Sequence, residues 1–260
     1  MVRARITAVD VRRPDLREPF PRMFARRLTG QTVLALNRRA KYLLASLSSG
    51  ETLLMHLGMS GSLRVLRAAN RKAAAPDIWA HDHVVFFMSS GLAVVFNDPR
   101  RFGVMDLIPA GGLEQHPTLS RLGPEPLSAD FDAAALARAC RGKKVSLKAA
   151  LLDQRVVAGL GNIYAVEALH VAELSPLRRA STIATASGAP RDGAVRLAAA
   201  IKFVLEKAID RQSSGRSYRD DRFLVYDRQD EACPRTRCGG AIRLRAQGGR
   251  STYYCPKCQR

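Results

Sequence analysis

The sequence predicts an α+β multidomain protein of three modules: an N-terminal antiparallel β-sandwich, a helical region and a small C-terminal metal-binding ribbon. Short apolar runs separated by turn signals fill roughly the first 110 residues, as expected for strands. From about Ser128 the chain becomes rich in Ala and Leu with helical spacing. Two close pairs of cysteines end the sequence. We place the module boundaries at residues 1–112, 113–225 and 226–260.

Two Ser-Ser-Gly triplets divide the apolar runs of the first module. Residues 48–50 and 89–91 each separate two short apolar segments, which is a hairpin signal between adjacent strands. Residues 67–80 are polar, contain Ala and Pro, and predict a surface loop. An antiparallel sandwich is the simplest arrangement of such strands.

The second module reads as helices joined by polar turns. Ser128 and Asp130 are candidate N-caps of a helix that runs through Cys140. A later helix is predicted over residues 191–212. Residues 213–222 form a polar connector that leads into the cysteine segment.

The paired cysteines predict one structural zinc site. Cys233-x4-Cys238 and Cys255-x2-Cys258 are separated by sixteen residues, so two short chelates would surround one tetrahedral Zn²⁺. Four thiolates leave no position for water, which makes the metal structural, and so small a module needs the metal to fold. The alternative is a reduced, metal-free tail. Cys140 stands apart, and its role is open.

The charge balance points to a polyanionic partner. The chain has 42 Lys and Arg against 23 Asp and Glu, a net charge of +19 spread along its length. Nucleic acid is the expected partner, although a ribosome-associated protein or a high-GC genome that favours Arg would give the same excess. The first ten residues lack the apolar stretch of a signal peptide, and no run is long enough to span a membrane. We therefore expect a cytoplasmic protein.

Two glycine turns could present cations or backbone amides to phosphates. Gly248 and Gly249 permit a tight hairpin turn between the cysteine pairs, followed by Arg250. Arg250 is either a phosphate contact or a solvated arginine. The turn with Gly159 and Gly161 precedes a helix near Asn162, whose N-terminal amides could bind phosphate. More often, such a turn only connects two elements and binds no ligand.

Basic residues lie close to that second turn in the sequence. Lys143, Lys144 and Lys148 favour DNA, with a solvated run of charges as the alternative.

The β module contains residues that could probe a duplex. Arg100, Arg101 and Phe102 follow a strand in a proline-led turn, and Met59 occupies a second loop flanked by glycines. Met and Phe can wedge between base steps, but each taken singly is more often part of a core.

Two further positions in the β module carry groups that could contact DNA. Lys41 is expected within a strand that is first basic and then apolar. His81 and His83 could contact DNA or cap a strand, and lack further ligands for a metal.

Nearly the whole chain, from Ile6 to Arg260, resembles the formamidopyrimidine-DNA glycosylases of the Fpg/Nei family. Seven segments carry the resemblance, in chain order RRAKYLL, HLGMSGSLR, HDHVVF, NDPRRFG, LGPEPL, LLDQRVVAGLGNIYAVEAL and GRSTYYCPKCQR. The resemblance implies a β-sandwich, a helix–two-turn–helix domain and a zinc finger. It also implies a monomeric, nucleoid-associated repair enzyme that acts on double-stranded DNA. Such an enzyme excises oxidised purines (8-oxoguanine and formamidopyrimidines) and then nicks the abasic strand.

The resemblance assigns roles to individual residues. Met59, Arg100 and Phe102 would fill the space left by the flipped base, with Arg100 facing the orphaned partner. Lys41 matches the lysine of β-elimination, and Arg250 matches the finger arginine of δ-elimination. Further DNA contacts are implied at four positions: His81, Arg101, Lys143 and Asn162.

The chain departs from the family pattern at two places. The family's nucleophile is an N-terminal proline followed by a glutamate, whereas this sequence begins Met1-Val2-Arg3. Either the true start lies upstream or the chain is truncated, and we expect the former; the chain as written is expected to be inactive or impaired. The connector of residues 213–222 is shorter than in relatives, which bears on the preference for a lesion.

Three functional hypotheses follow. The first is a DNA glycosylase and abasic-site lyase, and the second is a non-catalytic binder of damaged DNA. The third is a zinc-ribbon protein bound to RNA or the ribosome. Trapping with borohydride separates the first two, and binding indifferent to an abasic site would support the third.

Overall fold

The computed structural model describes residues 1–67, 79–215 and 223–260. These form two compact units, Met1–Ser120 and Arg121–Arg260, each with its own core. Most of the predicted loop at 67–80 and of the connector at 213–222 lies outside the described residues. The three module boundaries given above stay predictions.

The elements of the first unit are β1 Ile6–Val11, α1 Phe24–Leu28, β2 Val33–Arg39, β3 Tyr42–Leu47, β4 Thr52–His56, β5 Ser62–Arg67, β6 Asp82–Met88, β7 Leu92–Asn97 and β8 Val104–Ile108. The strands form a sandwich of two four-stranded antiparallel sheets with the orders β1-β6-β7-β5 and β2-β3-β4-β8. The short helix α1 joins β1 to β2.

Both predicted hairpins are confirmed. Residues 48–50 connect β3 to β4, residues 89–91 connect β6 to β7, and both pairs are antiparallel. Gly50 and Gly91 have φ values of +84° and +76°, a backbone conformation that side chains with a Cβ rarely adopt. Apolar side chains of both sheets meet in a buried cluster that includes Phe86, and a smaller cluster forms around Val85.

The second unit begins with helices. Their bounds are α2 Ala133–Cys140, α3 Leu147–Leu152, α4 Asn162–Val171, a 3₁₀ turn Ala180–Ile183, and α5 Asp192–Ser213. The predicted helix through Cys140 is present, but its cap is Asp132, whose side chain accepts from the Ala135 amide at 2.7 Å. Ser128 and Asp130 lie too far upstream, and Ser128 Oγ donates instead to the Glu125 carbonyl. None of the helices in the described part of the chain is both long and apolar enough to cross a membrane.

The second unit ends in a two-stranded ribbon that packs on α4. The strands are β9 Arg243–Gln247 and β10 Arg250–Tyr254. Val166 of α4 forms a buried cluster with Val225, Ile242 and two of the cysteines. The helical core and the ribbon are therefore parts of one compact unit.

Candidate functional site

Four cysteine sulfurs converge at the base of the ribbon. Cys233 Sγ lies 3.8 Å from Cys258 Sγ, Cys238 Sγ lies 3.6 Å from Cys255 Sγ, and all four lie within 4.8 Å of one another. Ligands at about 2.3 Å in a tetrahedron would be about 3.8 Å apart, so the cluster fits zinc. Burial and the neighbouring Cys255 and Cys233 raise the pKa of the Cys258 thiol, so a cation is needed for four thiolates to coexist. The finger therefore fits one structural zinc.

Cys140 is not part of this cluster. Its side chain is fully buried in the helical core, where burial raises the pKa of the thiol to about 11. A buried neutral thiol packs as a small apolar side chain, so Cys140 is a core residue.

A histidine on α4 lies against the metal cluster and was not singled out from the sequence. His170 is buried, with its Nε2 atom 3.4 Å from Cys233 Sγ. Arg235, between the first two cysteines, donates to the His170 carbonyl at 2.7 Å and pairs with Glu173. The cysteine loop is thus joined directly to α4. A histidine in the last turn of a helix rich in Ala, Val and Leu was the available signal.

The ribbon presents Arg250 immediately after its tight turn, as predicted. Gly248 and Gly249 both have positive φ, as a two-residue turn of this hand requires, and Arg250 pairs with Gln247 across the ladder. The Arg250 side chain is exposed. Its position at the turn of a clamped hairpin leaves its guanidinium accessible to an anion.

Lys148 was grouped with solvent-facing cations, and that prediction is wrong. It lies on α3 and is 1% exposed, with Nζ donating to the Ser251 carbonyl at 2.8 Å and to Thr252 Oγ1 at 2.6 Å. Burial, followed by the charge of Arg250, lowers the pKa of Lys148 to about 8. Lys148 therefore supports the strand that carries Arg250 and is covered from solvent.

Asn162 contacts the same strand from α4. It is the first residue of that helix, as predicted, and its Nδ2 donates to the Ser251 carbonyl at 3.0 Å. The preceding turn is held by Gln154, which accepts from the Gly159 amide and donates to the Leu160 carbonyl. The turn before α4 and the Arg250 hairpin are thus joined at one carbonyl.

Lys143 and Lys144 follow α2 rather than this turn. Lys143 is half-buried and Lys144 is exposed. The backbone of Lys143 is fixed at both ends, because its amide donates to Cys140 and its carbonyl accepts from Ser181. Its ammonium is therefore held on a defined loop, where it remains available to a phosphate.

In the first unit, the two predicted probes are exposed rather than part of the core. The side chain of Met59 is 73% exposed and that of Phe102 is 41% exposed. The Arg100 guanidinium carbon lies 4.6 Å from the centre of the Phe102 ring, a cation–π contact that orients both groups. Exposed apolar side chains on loops are typical of a binding surface.

Arg101 and Lys41 differ from their expected surroundings. Arg101 adopts a left-handed backbone (φ +56°), and its guanidinium pairs with Asp15 at 3.2 Å. Lys41 was expected within a strand, but the strands end at Arg39 and resume at Tyr42, so Lys41 lies in their turn. Ala40, with φ +52°, makes this tight turn possible and leaves Lys41 at an exposed hairpin tip.

His56 lies beside Lys41 and was also missed. Its ring packs against that of Tyr42 with centroids 4.9 Å apart and planes tilted by 44°, and its Nδ1 accepts from the Gly58 amide at 3.0 Å. Burial, followed by the charges of Lys41 and Arg17, lowers the pKa of His56, so the ring is neutral at pH 7. Its place at the end of β4, directly before the Met59 loop, was the available signal.

The histidine pair divides into an exposed and a buried member. His81 is exposed with φ +71°, and its carbonyl accepts from the Asp98 amide. His83 is buried, and its Nε2 lies 2.9 Å from the Asp98 carbonyl. His81 alone remains a candidate for an external contact.

Three family models match the chain in succession. The formamidopyrimidine-DNA glycosylase N-terminal domain matches residues 1–105, and the formamidopyrimidine-DNA glycosylase H2TH domain matches residues 122–220. The zinc finger found in FPG and IleRS matches residues 230–260.

Curated relatives align along nearly all of the chain. A formamidopyrimidine-DNA glycosylase of Bradyrhizobium sp. strain BTAi1 is 56% identical over 99% of this chain and 93% of its own length. The protein of the same name from Rhodopseudomonas palustris strain BisA53 is also 56% identical with the same coverage. That from Azorhizobium caulinodans is 53% identical over 98% of this chain and 92% of its own length.

Solved structures of similar proteins share the fold. MutM in complex with DNA that contains carbocyclic 8-oxo-G has a TM-score of 0.85 at 28% identity, covering all of this chain and 94% of that one. Lactococcus lactis formamidopyrimidine-DNA glycosylase, bound non-covalently to DNA with an AP site, has a TM-score of 0.83 at 30% identity and the same coverage. MutM from Thermus thermophilus has a TM-score of 0.81 at 34% identity, covering all of this chain and 92% of that one.

Proposed function

Because the chain belongs to the formamidopyrimidine-DNA glycosylase family, we propose that it is a base-excision repair enzyme that removes damaged bases from duplex DNA. The substrates are oxidised purines, 8-oxoguanine and formamidopyrimidines, and the abasic strand is then cleaved by β,δ-elimination. The solved relatives bind DNA that carries carbocyclic 8-oxo-G, FAPY-dG or an AP site, which supports this substrate class. The partner is double-stranded DNA, bound by a monomer in the cytoplasm at the nucleoid.

One observation carries the proposal: Met59 and Phe102 are exposed, and Arg100 covers the ring of Phe102. An enzyme that acts on a base must take that base out of the stack, because its glycosidic bond is unreachable within the duplex. The side chains that fill the gap must be apolar, exposed and held in place before DNA binds. In the proposed complex Met59 and Phe102 occupy the gap, and Arg100 faces the orphaned base.

Polar and basic side chains contact the strand on either side of the extruded nucleotide. In this proposal His81, Arg101, Lys143 and Asn162 contact the DNA, and each lies on a loop, turn or helix start within its own unit. Phosphate contacts set register without reading sequence.

Lys41 and Arg250 are assigned to the elimination steps. Lys41 lies on an exposed turn beside a neutral His56. Arg250 precedes Ser251, whose carbonyl accepts hydrogen bonds from Lys148 and Asn162. Zinc, when bound by the four cysteines, stabilises the fold of the finger. The residues around it then keep the Arg250 strand in place.

Binding to a duplex that contains a tetrahydrofuran abasic analogue tests whether Phe102 fills the gap in the base stack. We expect Phe102→Ala to weaken this binding by about tenfold or more, because a filled gap becomes empty. Phe203→Ala is the matched control, since Phe203 is 43% exposed and lies 4.3 Å beneath Lys207 Nζ but belongs to α5. Equal effects of the two substitutions on Kd would contradict the proposal.

A non-catalytic binder of damaged DNA is the second candidate, because the exposed Met59 and Phe102 would suit a distorted duplex whether or not a bond is broken. Borohydride trapping on an 8-oxoguanine duplex separates the candidates. A covalent adduct supports the enzyme, and tight lesion binding without an adduct supports the binder.

A further inference from the structure

Two loops of the first unit touch each other along their backbones. We call residues 57–61 and 98–103 the wedge loops, because they carry Met59 and Phe102. A Cβ on Gly58 would lie 2.5 Å from the carbonyl carbon of Phe102 and 2.7 Å from the amide nitrogen of Gly103. No side chain fits at Gly58, so the loop backbones are in close contact there.

A buried carboxylate bridges the wedge loops. Asp98 is fully buried, its Oδ1 accepts from Ser60 Oγ at 2.5 Å, and its Oδ2 accepts from the Gly103 amide at 2.7 Å. One oxygen thus binds the Met59 loop, and the other closes the loop that carries Phe102. Hydrogen bonds to a charged acceptor are short and strong, so this bridge resists separation of the loops.

Ser60 adds a second link between the same loops. Its Oγ accepts from the Arg100 amide at 3.2 Å while its hydroxyl donates to Asp98. The hydroxyl therefore contacts the residue whose guanidinium covers Phe102. The Asp98 amide donates to the His81 carbonyl, and the Asp98 carbonyl lies 2.9 Å from His83 Nε2, so the base of this arrangement is fixed at the start of β6.

We propose that Ser60 and Asp98 are positioning residues that join the wedge loops into one rigid probe, so that Met59 and Phe102 enter the duplex together. This inference rests on the proposed function. Neither residue contacts DNA in the proposal; both act through the spacing of the side chains that do. The consequence is energetic coupling between Met59 and Phe102, because residues held in one body lose or gain their contacts jointly.

A double-mutant cycle measures that coupling. Met59→Ala and Phe102→Ala are made singly and together, and the readout is the ratio of Kd for intact duplex to Kd for tetrahydrofuran duplex. In the parent, each single substitution should lower this ratio. We expect the double substitution to lower it by about fivefold or more less than the product of the two single reductions. In a Ser60→Ala background the remaining coupling should fall within about twofold.

Conservative and control variants separate positioning from loss of stability. Ser60→Thr keeps the hydroxyl and should restore the coupling that Ser60→Ala removes. Asp82→Asn is the control: Asp82 is a buried carboxylate of the same sheet, but its partners are Arg64, Asn97 and the Trp79 amide, outside the wedge loops. It should lower the unfolding temperature and leave the coupling unchanged.

The outcomes divide clearly. If the parent prefers abasic DNA, two results overturn the inference alone. One is coupling that survives Ser60→Ala, and the other is coupling that Asp82→Asn removes to the same extent. A parent that does not distinguish the two duplexes overturns the proposed function and this inference together. Coupling lost with Ser60→Ala and restored with Ser60→Thr supports both.

Discussion

Lys148 shows how a single residue can be misjudged from sequence. Its neighbours Lys143 and Lys144 lie at the surface, whereas Lys148 lies inside, at the second residue of α3. A buried ammonium is tolerated here because the Ser251 carbonyl and the Thr252 hydroxyl accept hydrogen bonds from it, so the penalty of desolvation is partly offset. The remaining penalty explains why the pKa of Lys148 falls to about 8.

Lys148→Met should change how stability depends on pH. The unfolded chain keeps the Lys148 proton up to a pKa near 10.5, while the folded chain releases it near 8. Between these values the unfolded state binds more protons, so the contribution of Lys148 to the free energy of unfolding rises with pH. Urea unfolding of parent and variant, followed by circular dichroism from about pH 7 to about pH 10, should show a difference that shifts in favour of the parent.

Lys144→Met is the control for that measurement, because Lys144 is exposed. Its curve should run parallel to that of the parent across the same range. Parallel curves for Lys148→Met as well would show that the buried ammonium has no lowered pKa.

At the scale of elements, helix α4 contacts three separate parts of the second unit. Its first residue, Asn162, contacts the Arg250 hairpin, and its last turn carries His170 beside Cys233. Between them Glu167 is buried, and its carboxylate accepts from three successive backbone amides that follow the connector, those of Leu224, Val225 and Tyr226. One ten-residue helix therefore determines where the connector ends, where the finger begins and where the hairpin lies.

Glu167→Gln should release the segment after the connector. An amide offers only one acceptor oxygen and turns its NH₂ group toward backbone donors, so amides are left unpaired at a cost of about 1–3 kcal/mol. Native-state hydrogen exchange should show faster exchange at Leu224, Val225 and Tyr226 than in the parent. Glu206→Gln, at an exposed position of α5, should leave those rates unchanged. Slow exchange in both variants would show that the carboxylate is not what holds the segment.

At the scale of the whole molecule, each unit has a separate core and separate stabilising devices. The sandwich is stabilised by apolar packing between its sheets, whereas the finger has only a small apolar cluster of its own. A module that buries so little surface depends on its metal to fold. The sandwich and the finger should therefore respond differently to a chelator.

Removal of zinc should unfold the finger and spare the sandwich. The chain has one tryptophan, Trp79, which lies in the first unit 3.7 Å from the Arg64 guanidinium and reports on that unit alone. With a chelator present, the unfolding transition seen by Trp79 fluorescence should stay in place, while near-ultraviolet tyrosine circular dichroism changes. Cys258→Ala should lose zinc by elemental analysis, whereas Cys140→Ala should keep one zinc per chain. Zinc retained by Cys258→Ala would exclude Cys258 as a ligand.

Much of the fold and of the candidate site could be predicted from the sequence, wherever the feature depends on residues close together in the chain. The Ser-Ser-Gly hairpins, the cysteine spacing and the Gly248-Gly249 turn each depend on residues within one turn or one chelate. The cap at Asp132 was missed because several polar residues precede α2, and only the backbone shows which one accepts the Ala135 amide. His56, Ser60 and Asp98 were missed because their partners lie on other strands or loops.

The amino-acid order was sufficient to specify strands, helices, a four-thiolate cluster and a strongly basic surface, since these follow from periodicity, spacing and composition. It also placed Met59 and Phe102 on glycine-bearing loops, but it left open whether they were core or surface. Long-range packing resolved that choice, exposing both side chains, burying Lys148 and setting Asp98 between two loops. The physical reason is that the burial and hydrogen bonding of a side chain depend on its neighbours in space, and these neighbours come from residues far apart in the chain.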